Sequence, residues 1–203
     1  MSTLVLTTDA PIVDGPTQGR WTHADWEKLP PDGNRYEVIE GVLYMSTAPS
    51  YFHQYITLQL VRYIGIPAED QGLARVGFAP IGVLMPGCDP VQPDFVVVLT
   101  ARATIIHDRR IHGTPDLIVE ILSPSNRAYD EQVKLPAYAR AGLPEYAIID
   151  PVNRTIRYYR LKQSGEYGSA QVYDQSQTLR FDCLPGLALP VGDLFAGAQD
   201  TMA

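Results

Sequence analysis

Lysine is scarce in this chain. Of its 203 residues 16 are basic, only Lys28, Lys134 and Lys162 being lysines, against 23 acidic ones, for a formal net charge of -7. That balance excludes a protein that coats nucleic acid by bulk charge, though not one that grips it through a local patch. Cysteine is nearly absent. Cys88 and Cys183 stand far apart, too few for a structural zinc cluster or a disulfide scaffold, and read as reduced thiols of a cytoplasmic protein. No apolar run approaches the ~20 residues of a membrane span, the longest strand-like one being Phe95–Leu99. Met1–Arg20 has no early positive charge and no extended apolar segment, so it is not expected to be a secretory signal. Pro11, Gly15, Pro16 and Gly19 predict a loose tail over residues 1–20.

What is present is a chain of 45% hydrophobic and 19% charged residues, ordinary for one globular domain and long enough to bury a core. That domain is expected over residues 21–195, with a short C-terminal tail at 196–203. Thr22 can cap a short helix over His23–Leu29, stopped by Pro30-Pro31-Asp32-Gly33. Gly41 separates Tyr36–Glu40 from Val42–Met45 in a hairpin pattern. Phe52, Tyr55, Ile56, Leu60, Tyr63 and Ile64 recur at helical spacing and predict an amphipathic helix over Tyr51–Ile64, ended by Gly65 and Pro67.

Ala74–Phe78, Ile81–Met85 and Asp94–Leu99 follow as short strands, then a charged loop at Asp108-Arg109-Arg110. Asp116–Leu122 is apolar on both faces, the mark of a strand in the middle of a sheet. Ser123-Pro124-Ser125-Asn126 can cap a helix over Arg127–Ala141, and Glu145–Asp150, Thr155–Leu161 and Gln171–Tyr173 are further strands. The expected fold class is α/β: a single domain with a mixed β-sheet and two main helices.

Acidic residues on buried strands carry the chemical signal. Asp94 opens an otherwise apolar strand, and Glu120 sits inside Leu-Ile-Val-Glu-Ile-Leu. Burying an unpaired carboxylate costs several kcal/mol, so each needs a cation, a hydrogen-bond partner or a metal. Asp116 and Glu120 lie about 13 Å apart along one strand, too far to share an ion. Asp94, from a different strand, can sit beside Glu120 if the two strands pair. Asp94 and Glu120 are therefore the expected metal pair, and Asp116 a turn residue at the strand start. Lys134, on the following helix, is open to two readings: an i,i+4 ion pair with Asp130 on a solvated face, or an ammonium aimed at the end of the Glu120 strand.

Tyr36-Glu37-Val38-Ile39-Glu40-Gly41, Gln92-Pro93-Asp94, the run from Pro115-Asp116 through Glu120 to Ser123-Pro124-Ser125, Lys134, and Gly142-Leu143-Pro144-Glu145-Tyr146 with Ile149-Asp150-Pro151 stand in a telling order. As a set they resemble the Uma-two family of restriction-endonuclease-like proteins, within the PD-(D/E)xK nuclease superfamily, over about residues 20–195. The resemblance implies a restriction-endonuclease-like mixed sheet flanked by helices. It also implies hydrolysis of DNA phosphodiester bonds with Mg²⁺ or Mn²⁺. Asp94 matches the aspartate of the PD element and Glu120 the (D/E) position. Two residues beyond Glu120 stands Leu122 where the pattern has lysine, and Lys134 then becomes the candidate for a lysine displaced to the next helix. Pro136 is a second departure, expected to kink or interrupt that helix close to Lys134. Glu37 and His53 correspond to an early acidic position and a helix histidine near the site.

The resulting expectation is a metal-dependent endonuclease in which Asp94, Glu120 and the backbone carbonyl of Ile121 hold the metal, Lys134 assists, and Glu37 and His53 complete the wall. The alternative is a catalytically inactive binding or regulatory module on the same scaffold. A homodimer fits either. Exposure on the hairpin is the other reading for Glu37, and a hydrogen bond near the helix start the other for His53. His107 and His112 match no strong metal-ligand spacing. Arg102, Arg127 and Arg140 with the Asp108–Arg110 loop offer a weak phosphate-binding rim. Tyr158-Tyr159 reads as core or interface rather than a base-stacking platform.

Overall fold

In the computed structural model the described residues are 13–46, 48–123 and 127–197. The cap expected at residues 124–126 and parts of both expected tails lie outside them. Thr22 caps α1 (His23–Trp26) through a capping box with Asp25, and the helix is shorter than its pattern implies. The hairpin of β1 (Arg35–Ile39) and β2 (Val42–Ser46) turns on Glu40 and Gly41, at φ 50° and 74°. A Cβ on Gly41 would also run into the Gly19 carbonyl at 2.6 Å, so only glycine serves there.

Ser50 caps α2 (Tyr51–Leu60), its hydroxyl accepting from the His53 N–H. The helix does not stop at Gly65 and Pro67. It passes through a wide π-turn, Val61–Gly65, and continues as α3 (Ile66–Asp70). Gly65 stays right-handed at φ -60°, so it terminates nothing. Gly72, at φ 67°, does that.

Next come β3 (Ala74–Phe78), β4 (Gly82–Met85), β5 (Cys88–Val91) and β6 (Phe95–Leu99). β5 has no counterpart among the expected strands, because Pro90 inside a four-residue segment erases the strand pattern. A 3₁₀ turn (Thr100–Ile105) leads to β7 (Arg110–His112), where the sequence pattern shows only a charged loop. β8 (Leu117–Ile121) follows. The second long helix is α4 (Arg127–Tyr129), a π-turn over Asp130–Lys134, and α5 (Leu135–Arg140). Pro136 widens this helix without breaking it, and Gly142 at φ 77° ends it. β9 (Glu145–Asp150), β10 (Thr155–Arg160), β11 (Gln171–Tyr173), β12 (Thr178–Leu179), β13 (Leu189–Pro190) and a 3₁₀ turn (Val191–Leu194) complete the described chain.

The strands form two main sheets and a small one, where the sequence pattern implies one. Five are ordered β2-β1-β5-β4-β7, six are ordered β11-β10-β9-β8-β6-β3, and β12 pairs with β13. Both large sheets are mixed: β8 runs parallel to β9, and β4 parallel to β7. β8 lies inside the six-stranded sheet, as its two apolar faces require, and all five of its residues are buried. One core cluster joins Phe95, Val97, Val119 and Ile121 to Phe52, Ile56, Leu60 and Ile64 of the first long helix. The other joins Val96, Val98, Ile118 and Ile148 to Ala137 and Tyr138 of the second, and to Ile39, Val83 and Val91 of the five-stranded sheet. Each such side chain contributes about 1.5–3 kcal/mol on burial. No helix among the described residues is long and apolar enough to cross a membrane.

Candidate active site

β6 and β8 are antiparallel with Phe95 opposite Val119, which brings Asp94, one residue before β6, opposite Glu120. The strand geometry ties the two together. The Asp94 N–H donates to Glu120 Oε2 at 3.3 Å and the Ile121 N–H to Asp94 Oδ2 at 2.9 Å. Ile121 thus meets the site through its amide, whereas the expected role used its carbonyl. Side chains alternate along a strand, so Glu120 shares a face with Ile118 and Leu122, the face covered by the second long helix.

From that helix Lys134 reaches Glu120. Its Nζ lies 2.9 Å from Glu120 Oε1, 3.2 Å from Glu37 Oε1 and 3.5 Å from Asp130 Oδ1, with the residue only 4% exposed. The ion pair with Asp130 exists, but in the interior rather than on a solvated face. Glu37 is likewise buried rather than exposed on the hairpin, and its Oε1 accepts from the Gln92 N–H at 2.5 Å. His53 Nε2 sits 3.0 Å from Asp94 Oδ2, while its Nδ1 is buried without a partner.

Three further residues belong to the cluster: Arg35 and Tyr138, which the sequence pattern leaves unmarked, and Asp130, expected only as a partner of Lys134 on a solvated face. Arg35 places both terminal nitrogens 3.1 Å from Asp94 Oδ1, and one of them also donates to the Gln92 carbonyl at 3.2 Å. Tyr138 donates to Glu120 Oε1 at 2.9 Å. Asp130 is 1% exposed and neither of its carboxylate oxygens has a hydrogen-bond partner. A signal existed for two of them, since Asp130 and Tyr138 stand one helical turn on either side of Lys134. Arg35 had none, because its partner is 59 residues away.

Four buried carboxylates, Glu37, Asp94, Glu120 and Asp130, therefore face two permanent cations, Arg35 and Lys134. The imbalance sets the proton affinities. Burial drives the Glu120 carboxyl up to about 7, Lys134 opposing and the Asp94 and Glu37 charges adding to the rise. Burial likewise drives Asp130 well above the ordinary carboxylate range. Burial pushes Asp94 the same way, but His53, Arg35 and Lys134 outweigh it and hold its carboxyl below that range. The Lys134 ammonium is stabilised against its own burial by Glu120, Glu37, Asp130 and Asp94.

The donor set fits a divalent cation by its chemistry: hard carboxylate oxygens on adjacent strands, an excess of negative charge, and two orphaned Asp130 oxygens. Among the described residues no group of three or more histidine, cysteine, aspartate or glutamate side chains is arranged as a cage that could hold a metal ion. An open two-carboxylate site completed by water requires no such cage.

The other sequence features settle outside this cluster. Asp116 accepts from the Leu99 N–H at 2.8 Å and from Arg102 at 2.7 Å, a capping role at the strand start. Of the expected rim, Arg102 pairs with Asp116, Arg127 with Asp150, Arg140 with Glu40 and Arg110 with Glu27, while Arg109 is exposed. His107 and His112 are exposed and in ring contact at 4.5 Å. Tyr158 is core, and both cysteines are free thiols.

Comparison with known proteins agrees with this layout. The Uma2 family model, described as "Putative restriction endonuclease", matches residues 23–192. A solved structure described as a putative nuclease belonging to DUF820 from Anabaena variabilis ATCC 29413 superposes with a TM-score of 0.72. It is 24% identical over 86% of this chain and 97% of that one, a likeness that speaks for the fold. A search of curated proteins finds no match.

Proposed function

The chain belongs to the Uma2 family, and from that membership we propose that it is a divalent-metal-dependent endonuclease hydrolysing DNA phosphodiester bonds. The observation that carries the reading is Asp94 standing across the strand pair from Glu120, with the Lys134 ammonium 2.9 Å from Glu120. Asp94 and Glu120 would hold Mg²⁺ or Mn²⁺, with water completing the coordination. When bound, the cation would supply Lewis acidity toward water and toward the phosphate oxygens.

The chain's own residues do the rest. Lys134, fixed by three carboxylates, presents a positive charge where the phosphate gains negative charge. His53 and Arg35 grip the two oxygens of Asp94 and set the orientation of that carboxylate. Arg35 is the cation nearest solvent, with 19% of its side chain exposed, and is placed to meet an incoming phosphate. Cutting both strands of a duplex would suit a homodimer.

The test is cleavage of supercoiled plasmid DNA with Mg²⁺ or Mn²⁺. Asp94→Ala and Glu120→Ala are each expected to abolish nicking; cleavage that survives in either variant overturns the assignment. One observation favours the second reading, a catalytically inactive binding module. Both Asp94 oxygens are already engaged by protein side chains, Oδ1 by Arg35 and Oδ2 by His53. Calorimetric titration with Mn²⁺ separates the two readings, since the inactive module would show no binding that Glu120→Ala removes.

A further inference from the structure

Each long helix contains one wide turn, and each such turn ends two residues before a proline: Val61–Gly65 before Pro67, and Asp130–Lys134 before Pro136. In both, the residue in front of the proline closes an i→i+5 bond, Ile66 N–H donating to the Val61 carbonyl and Leu135 N–H to the Asp130 carbonyl. Proline has no N–H to give, and its ring collides with the carbonyl four residues back. A turn with one extra residue moves that carbonyl aside and lets the helix continue.

In the second helix this changes which side chains meet. Lys134 Nζ lies 5.0 Å from the ring centre of Tyr129, five residues earlier. In a regular α-helix residues five apart point about 140° away from each other, whereas the wide turn stacks them. The Tyr129 ring is held in turn by Tyr44 of β2, centroids 4.4 Å apart. Asp130 opens the same turn with its carboxylate 3.5 Å from the ammonium. One turn later, Tyr138 shares Glu120 Oε1 with Lys134. The ammonium is thus gripped from its own helix by Asp130 and Tyr138, one turn to either side, and by the Tyr129 ring, which a regular helix would turn away from it.

We infer that this π-turn is the positioning device for Lys134: Pro136 enforces it, and Tyr129 and Asp130, acting through it, hold the ammonium on Glu120 and Glu37. All three are positioning residues, and the catalytic part of the inference rests on Lys134 serving the site proposed above. The device answers a problem of distance. A lysine carried by a separate helix, rather than two residues beyond Glu120 on the rigid strand, needs its direction set by something else, and a proline-locked turn does so through the backbone.

The scarcity of lysine makes this directly measurable. The full-length, metal-free protein is treated with N-hydroxysuccinimidyl acetate, and acetylation of Lys28, Lys134 and Lys162 is followed by peptide mass spectrometry. In the native chain Lys134 is expected to react at least about tenfold more slowly than Lys28, whose side chain is 77% exposed. Pro136→Ala and Asp130→Asn are each expected to speed Lys134 about tenfold, leaving Lys28 and Lys162 unchanged. Pro67→Ala, which releases the same kind of turn in the other helix, leaves Lys134 protected. In the plasmid assay Pro136→Ala and Asp130→Asn lower kcat by about 10- to 100-fold with KM unchanged, as a displaced group does.

Lys134 labelling as slow in both variants as in the native chain overturns the inference, as does equal acceleration by Pro67→Ala. Should Pro136→Ala unfold the chain, the near-isosteric Asp130→Asn decides. If the native protein cleaves no DNA, the function proposed above falls alone, because the labelling arm reads the position of Lys134 without any reaction.

Discussion

The first long helix, α2–α3, covers the face of the six-stranded sheet bearing Phe95, Val97, Val119 and Ile121, and its wide turn buries Ile64 and Gly65. The second, α4–α5, covers the opposite face, where Asp94 and Glu120 stand among Val96 and Ile118, and its wide turn buries Asp130 and Lys134. The backbone solution is the same and a proline is the cause of both. On the first face stability comes from apolar area and dispersion, which accumulate residue by residue. On the second, burying each charge costs several kcal/mol that only the neighbouring charges offset. The two faces teach that burial alone does not identify a core: the second is as dry as the first but is a set of mutually dependent charges. Such a set is stable only as a whole, and that makes it suitable as a site.

Paired substitutions can break that contrast. The largest expected effect is on cleavage, where Glu120→Ala lowers the rate about a thousandfold or more, while Ile64→Ala on the first face leaves the rate intact below its melting temperature. Equal loss in a plasmid-nicking assay would mean the faces are not functionally distinct. Urea unfolding sharpens the comparison next. Lys134→Ala is expected to cost about 3–5 kcal/mol, because Glu37, Glu120 and Asp130 lose their common cation. Ile64→Ala costs about 2–5 kcal/mol through its cavity. The distinguishing variable is pH: the Lys134→Ala loss is larger at pH 8 than at pH 5, where Glu120 and Asp130 can take up protons, while the Ile64→Ala loss is the same at both.

The third effect follows from Glu120. Its folded-state value of about 7 lies above the ordinary carboxylate value, so the metal-free folded chain binds a proton that the unfolded chain has released. The stability contributed by that proton is present at low pH and is lost as pH rises toward 7. A divalent cation competes for the same carboxylate, so calorimetric Mn²⁺ affinity should fall about tenfold per pH unit below 7 and level off above it. A flat profile would place Glu120 outside the metal site. The smallest effect lies away from both faces: Thr22→Ala removes the α1 cap and should cost about 1 kcal/mol, with cleavage unaltered.

Much of this was legible in the chain because it is local. The β8 run of apolar residues interrupted by Glu120, the hairpin about Gly41 and the amphipathic helix that begins at Tyr51 each follow from spacing and turn chemistry. So did the choice of Asp94 over Asp116 as the partner of Glu120, since rise per residue alone excludes a 13 Å reach and leaves a neighbouring strand. The order of motifs carried the family. Less visible were β5, whose proline hides a strand, and β7, whose three residues pair with β4 only in space. The passage of a helix through Pro67 was hidden too, because a breaker in sequence is a breaker only if the turn cannot widen.

Lysine scarcity left three lysines, of which Lys134 alone follows the Glu120 strand, and two acidic residues set in apolar strands pointed to buried carboxylates. Periodicity and side-chain type within a short window also gave the α/β class and the two long helices, and the order of motifs supplied the candidate site residues. Only the tertiary structure decided that Lys134 points inward to Glu120 and Glu37, that Arg35 and His53 share Asp94, and that Asp130 belongs to the same cluster. Charge pairing in a dry interior depends on distances of 3 to 4 Å between residues far apart in the chain, and those distances are set by strand register and by one widened helical turn.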